Sequence, residues 1–208
     1  MSDSDRATVL DQSRPSSARI HTALLGGKDF YIADHAIAEK LTRNKIGPAI
    51  TESRRFALRA VGYLIDHHQV TQFVELGCGF PNTPNIHDIA AEHIDTARTL
   101  YIDNDPIAAT HARALMSTHT THTAKIDLTD TVAVLDVITA TLDTTEAIAL
   151  LLSGTAELID NAPCSTLMTS GSSVSGPARA DRNPLTDAVG YGCRMTPHTG
   201  SCKAFPAR

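Results

Sequence analysis

Long apolar runs are missing from this sequence. No stretch approaches the ~18 consecutive apolar residues that a membrane-spanning helix needs. The opening MSDSDRATVLDQSRPSSAR is polar and has no apolar segment of the kind a secretory leader carries. Concentrated basic charge is missing too. Lys and Arg number 18 against 23 Asp and Glu, a formal net charge of −5 with the signs interspersed, which excludes the electrostatic footprint of a nucleic-acid binder. Cysteine is sparse: Cys78, Cys164, Cys193 and Cys202 are not close-spaced, so they read as free thiols rather than a disulfide framework. Together these absences predict a cytoplasmic protein with no membrane segment and no nucleic-acid partner.

What is present is enough apolar material for one ordinary domain, 42% of 208 residues. It is unevenly spread. Residues 1–162 carry 13 Lys and Arg against 21 Asp and Glu, whereas residues 163–208 carry 5 against 2. In that last segment 16 residues are Gly, Pro or Ser and only five are Leu, Ile, Val or Phe, too few to offset the entropy of ordering a chain. The expected division is a folded part over 1–162 and an atypical, disordered tail over 163–208.

Within the folded part, SRRFALRAVGYLIDHH (53–68) places Phe56, Ala60, Val61 and Leu64 at helical spacing, with Arg54, Arg55 and Arg59 available to the wet face. TQFVEL (71–76) then reads as a strand stopped by GCG, and PNIHDIAAEHI resumes a helical period at Ile86, Ile89, Ala90 and Ile94. A second unit follows in TLYI, DNDP and IAATHARALM, with Pro106 suited to a helix start. A third runs from TAKI through DLTD to TVAVLDVITATL. The fourth strand, AIALLL (147–152), is apolar throughout, as a strand covered on both faces should be. Alternating strands and helices predict right-handed crossovers and a doubly wound parallel α/β sheet preceded by helices.

VELGCGFPNTPN (74–85) puts Gly77 and Gly79 at the carboxyl end of the first strand, where open α/β sheets bind their ligands. Glycine there lets backbone pass close under a ligand, although the same pattern suits a tight bend without one. A nicotinamide dinucleotide loop wants a third glycine where this chain has Asn82. Acidic residues recur at the strand ends: Glu75 in the turn, Asp103 after the second strand, Asp127 after the third. Asp103 is placed to accept from vicinal ribose hydroxyls. Asp105 either contacts the ligand or caps the next helix, and Asp127 either accepts from an exocyclic amine or serves, with Asp130, as a cap. THTTHT (118–123), the pair His67 and His68, and the tail's Cys193, His198 and Cys202 supply no tetrahedral ligand set, so no metal is expected.

Four segments in order, ARIHTALLGGKDFYIADHAIAEK, RRFALRAVGYL, QFVELGCGFPNTPNIHDIA and LYIDNDPIAATHARAL, resemble successive motifs of the S-adenosyl methyltransferase family whose members open with an A-R-I…L-G-G-K segment. The resemblance covers roughly residues 14–160. It implies a Rossmann-like class I fold, S-adenosylmethionine as cofactor, and methyl transfer to an unidentified acceptor. By motif match Gly77 and Gly79 approach the methionine part, Asp103 the ribose, Asn104 the adenine side, and Asp127 with Leu128 the adenine edge. The same match makes LLGGK, with Gly26, Gly27 and Lys28, part of a pocket roof. Lys28 and Arg19 either meet the cofactor carboxylate or are solvated surface charges. No catalytic base is assigned: where the family often has a histidine this chain reads LLLSGTAELID, which leaves Glu157 as a candidate base or substrate contact.

A class I sheet has seven strands, of which four can be read. The expectation is that the C-terminal strands are missing or atypical through truncation, degeneration or a shifted reading frame. AIALLL would then be an exposed apolar edge suited to homodimerisation, and the alternative function is a non-catalytic remnant that binds S-adenosylmethionine or a nucleotide.

Overall fold

The computed structural model describes residues 13–155 and, as backbone, a short strand pair formed by β5 (Arg194–Met195) and β6 (Cys202–Lys203). The expected disorder of 163–208, Glu157 and the three tail cysteines otherwise lie outside the described residues. The chain forms two units, Met1–Thr51 and Glu52–Arg208.

In the first unit α1 (Ser17–Leu24) and α2 (Ile32–Arg43) are joined by LGGKDFY. The glycines end the helix. Gly26 has φ +82°, its N–H donates to Ala23 O, and the Gly27 N–H reaches back to Thr22 O at 2.9 Å, the paired bonds of a left-handed helix cap. Asp34, fully buried on α2, binds α1: its carboxylate accepts from Arg19 Nε at 2.7 Å and from the Ser16 and Tyr31 N–H groups at 2.8 Å. Arg19 also donates to Arg14 O and lies over the Tyr31 ring.

The second unit is built on a parallel sheet of β1 (Gln72–Leu76), β2 (Arg98–Asp103), β3 (Thr121–Lys125) and β4 (Ile148–Leu151), in the order β3-β2-β1-β4. Because successive side chains alternate across a strand, Phe73, Tyr101, Ala149 and Leu151 face α3 (Ile46–His68), α4 (Ile86–His93) and α5 (Pro106–Met116). Val74, Leu76, Leu100, Ile102, Ile148 and Leu150 face α6 (Thr131–Thr141). Helices on both faces of a parallel sheet make this a Rossmann-like α/β fold.

Local chemistry accounts for the helix ends. Asp105 caps α5 by accepting from the Ile107 and Ala108 N–H groups, with Pro106 as first helical residue, and Asp130 caps α6 through the Ala133 N–H. α3 starts at Ile46, a turn and more before the sequence reading, since Pro48 in a first turn forfeits no helical hydrogen bond. Its buried stripe is Ala57, Val61, Leu64 and Ile65. Phe56, expected on that stripe, is instead 40% exposed. β4 is buried along its whole length, so its apolar side chains are covered on both faces; its backbone pairs with β1 alone among the described residues.

Candidate functional site

The carboxyl ends of β1 and β2 are tied together by the chain that leaves them. The Gly77 N–H donates to Ile102 O at 2.7 Å, and the Gly79 N–H donates to Asp103 Oδ2 at 2.7 Å. Asp103 Oδ1 accepts from the Asp105 N–H at 2.8 Å. Both oxygens of this buried carboxylate are thus fixed by backbone N–H groups. Burial pushes the Asp103 carboxyl up, against the pull of the Asp105, Gly79 and Asn104 N–H groups.

Gly77 and Gly79 both have positive φ, +72° and +61°, where any side chain is strained. At Gly77 a second reason applies. A Cβ there would lie 2.4 Å from Oγ1 and Cγ2 of Thr155, whose hydroxyl donates to Gly77 O. The Cβ direction at Gly77 is thus filled by a side chain from beyond β4, so packing as well as φ requires glycine there. The rest of the loop is anchored by Phe80, buried edge-on against the His111 ring, and by Asn85, whose side chain accepts from the Asn82 N–H.

Glu75 points to the α3 side of the sheet, as its parity with Phe73 requires. There it meets Arg54, which donates to Glu75 Oε1 and, at 3.5 Å, to Pro84 O. Arg54 is not on the wet face: its side chain is 15% exposed. The sequence signal was available, since Arg54 lies three residues before Ala57 and seven before Val61, on the buried stripe itself. Burial pushes the Glu75 carboxyl up, with Arg54 pulling it back. Burial, together with Glu75 and Asp103, pushes the Cys78 thiol up as well, so Cys78 is a poor nucleophile.

Beside this cluster Asn104 and Asp127 come together, Nδ2 to Oδ2 at 3.2 Å, at the exposed ends of β2 and β3. Asp127 also accepts from the Thr129 N–H and hydroxyl, which hold its carboxyl below the usual range. Leu128 is a core residue against α6, so only its backbone is placed to meet a ligand. Gly26 and Gly27 cap α1, and Lys28 is exposed after them. Arg19 is engaged by Asp34 instead of standing ready for a cofactor carboxylate. His67 and His68 pack against Tyr63, and among the described residues no three His, Cys, Asp or Glu side chains are grouped to hold a metal ion. A surface groove of about 380 Å³ between α3 and α4, which includes Leu58, Tyr63, Ile89 and His93, contains none of the loop residues.

Residues 3–170 match the S-adenosyl methyltransferase family. The chain belongs to that family. S-adenosylmethionine is the cofactor that membership of the S-adenosyl methyltransferases implies. Two solved structures resemble the chain. A DUF574 family protein from Streptomyces avermitilis is 30% identical, with TM-score 0.68, over 76% of this chain and 65% of that one. A candidate methyltransferase from Thermobifida fusca is 29% identical, with TM-score 0.75, over 80% of this chain and 65% of that one. The chain thus spans about 65% of the length of both. No curated protein matches it.

The residues at the strand ends fit such a cofactor on their own geometry. A buried carboxylate at the end of β2 suits a ribose diol, and an arginine beside the loop suits a carboxylate. An amide and an acid at the neighbouring strand ends suit an adenine edge.

Proposed function

We propose that this chain binds S-adenosylmethionine at the carboxyl ends of β1, β2 and β3 and transfers its methyl group to an acceptor. The observation that carries the reading is Asp103: a buried carboxylate, fixed by the Gly79 and Asp105 N–H groups, at the strand end where Rossmann-like sheets bind ribose. When bound, the cofactor supplies a methyl group already made electrophilic by its sulfonium. The protein's contribution is positioning and exclusion of water. Asp103 orients the ribose, the Gly77–Gly79 turn faces the methionine part, and Asn104, Asp127 and the Leu128 backbone meet the adenine. The same reading keeps a homodimer paired along the outer edge of β4. Equilibrium dialysis with methyl-labelled S-adenosylmethionine tests the binding: about one label per chain is expected, and no retention by folded protein refutes it.

A further inference from the structure

Recognition of an α-amino acid needs a cation for its carboxylate, and the structure brings Arg54 against the loop. Lys28 is exposed and Arg19 is sequestered by Asp34. Arg54 reaches from α3 to the end of β1, where Glu75 holds its guanidinium beside Pro84 O at the far end of the loop. Its donors are not used up. The contact to Pro84 O is long at 3.5 Å, beyond an ordinary hydrogen bond, and the buried Nε has no acceptor among the described residues. A guanidinium carries five N–H groups in a planar fork that matches a carboxylate, and orphaned buried donors favour whatever acceptor satisfies them.

We infer that Arg54 binds the carboxylate of the cofactor's methionine part, with Glu75 as the positioning residue that holds the guanidinium against the loop. The inference rests on the S-adenosylmethionine reading above and adds the residue that selects an amino-acid-bearing ligand. The charges agree. Glu75, Asp103 and Arg54 together carry one net negative charge when ionised, and S-adenosylmethionine carries one net positive charge. Asp103 adds to the rise of the Glu75 carboxyl, so a cationic ligand relieves that repulsion.

The experiment compares two probes by calorimetry on the full chain: S-adenosylhomocysteine, and 5′-methylthioadenosine, which keeps the adenosine and thioether but lacks the amino acid. Substitution R54Q is expected to weaken S-adenosylhomocysteine by about tenfold to a hundredfold, the range of one charge-assisted hydrogen bond. Binding of methylthioadenosine should stay within about twofold of wild type. Since R54Q strands Glu75 as a buried unpaired acid, the double variant R54Q/E75Q is measured beside it, with thermal melting as the check on folding. The same selective loss is expected there. Equal losses for both probes, or no loss for either, overturn the assignment of Arg54 and leave the S-adenosylmethionine reading standing. Wild-type protein that melts cooperatively yet binds neither probe overturns both.

Discussion

With Asp103 replaced by Ala, the Gly79 and Asp105 N–H groups lose their acceptor and the proposed ribose contact is lost with it. Affinity for S-adenosylmethionine should fall by about 1.5–3 kcal/mol, read by calorimetry beside a thermal melt; unchanged affinity contradicts the ribose assignment. A second residue-scale prediction concerns Asp34. Burial pushes its carboxyl up, but the Arg19 hydrogen bond, the Ser16 and Tyr31 N–H groups and the Arg19 charge outweigh that and hold it below the usual range. Its ionised form therefore stabilises the fold in full above the unfolded carboxylate value of about 3.9. That contribution is lost as pH falls through the lower folded-state value. Urea midpoints of wild type and D34N should differ at neutral pH and converge below about pH 4; a gap that stays constant to about pH 2 contradicts it. Removing the partner, R19A, should cost about 3–5 kcal/mol at pH 7. The position of Asp103 at the end of β2 was legible because the strand pattern marks where the chain leaves the sheet. Arg54 was misread, and Arg19 was left between a cofactor carboxylate and solvent, because a charged side chain is not assigned to a buried partner unless that partner is known. Both partners, Glu75 and Asp34, lie far along the chain, 21 and 15 residues away.

At the scale of elements, the strand–turn–helix units were legible throughout, since β1 and β4 are covered on both faces and read as unbroken apolar runs apart from Glu75 and Gln72. β3 was read two residues late. Its sequence THTAK is half exposed, so burial imposes little apolar pattern on it and the pairing Thr99 with Thr121 sets its start. The glycine turn was legible in position and only partly in cause. Positive φ at Gly77 accords with the sequence reading, whereas Thr155, 78 residues away, closes on it through tertiary packing that no local pattern records. Gly77→Ala should destabilise the fold by about 1–3 kcal/mol through backbone strain and the Thr155 contact. Adding Thr155→Ala should recover only part of that, because the strained φ remains. Full recovery in the double variant, measured by urea denaturation, contradicts the backbone contribution. Likewise, LGGK was read as a roof by resemblance, and its described geometry is a helix cap.

At the scale of the molecule, the sheet order β3-β2-β1-β4 places the switch in strand order beside β1, and that is where Gly77, Gly79 and Asp103 converge. Open α/β sheets leave a crevice for ligands at such a point. Among the described residues no helix is long and apolar enough to cross a membrane. The homodimer proposed along β4 has its own test: sedimentation equilibrium should show a dimer. A monomer at every concentration contradicts the pairing. The most direct measurement for the whole account is a calorimetric titration of the folded full chain with S-adenosylmethionine, run on wild type and Asp103→Ala. The account predicts saturable binding at one site in the wild type, weakened about tenfold or more in the variant. Cooperatively folded wild-type protein that gives no saturable heat, or a variant that binds as tightly as wild type, contradicts it.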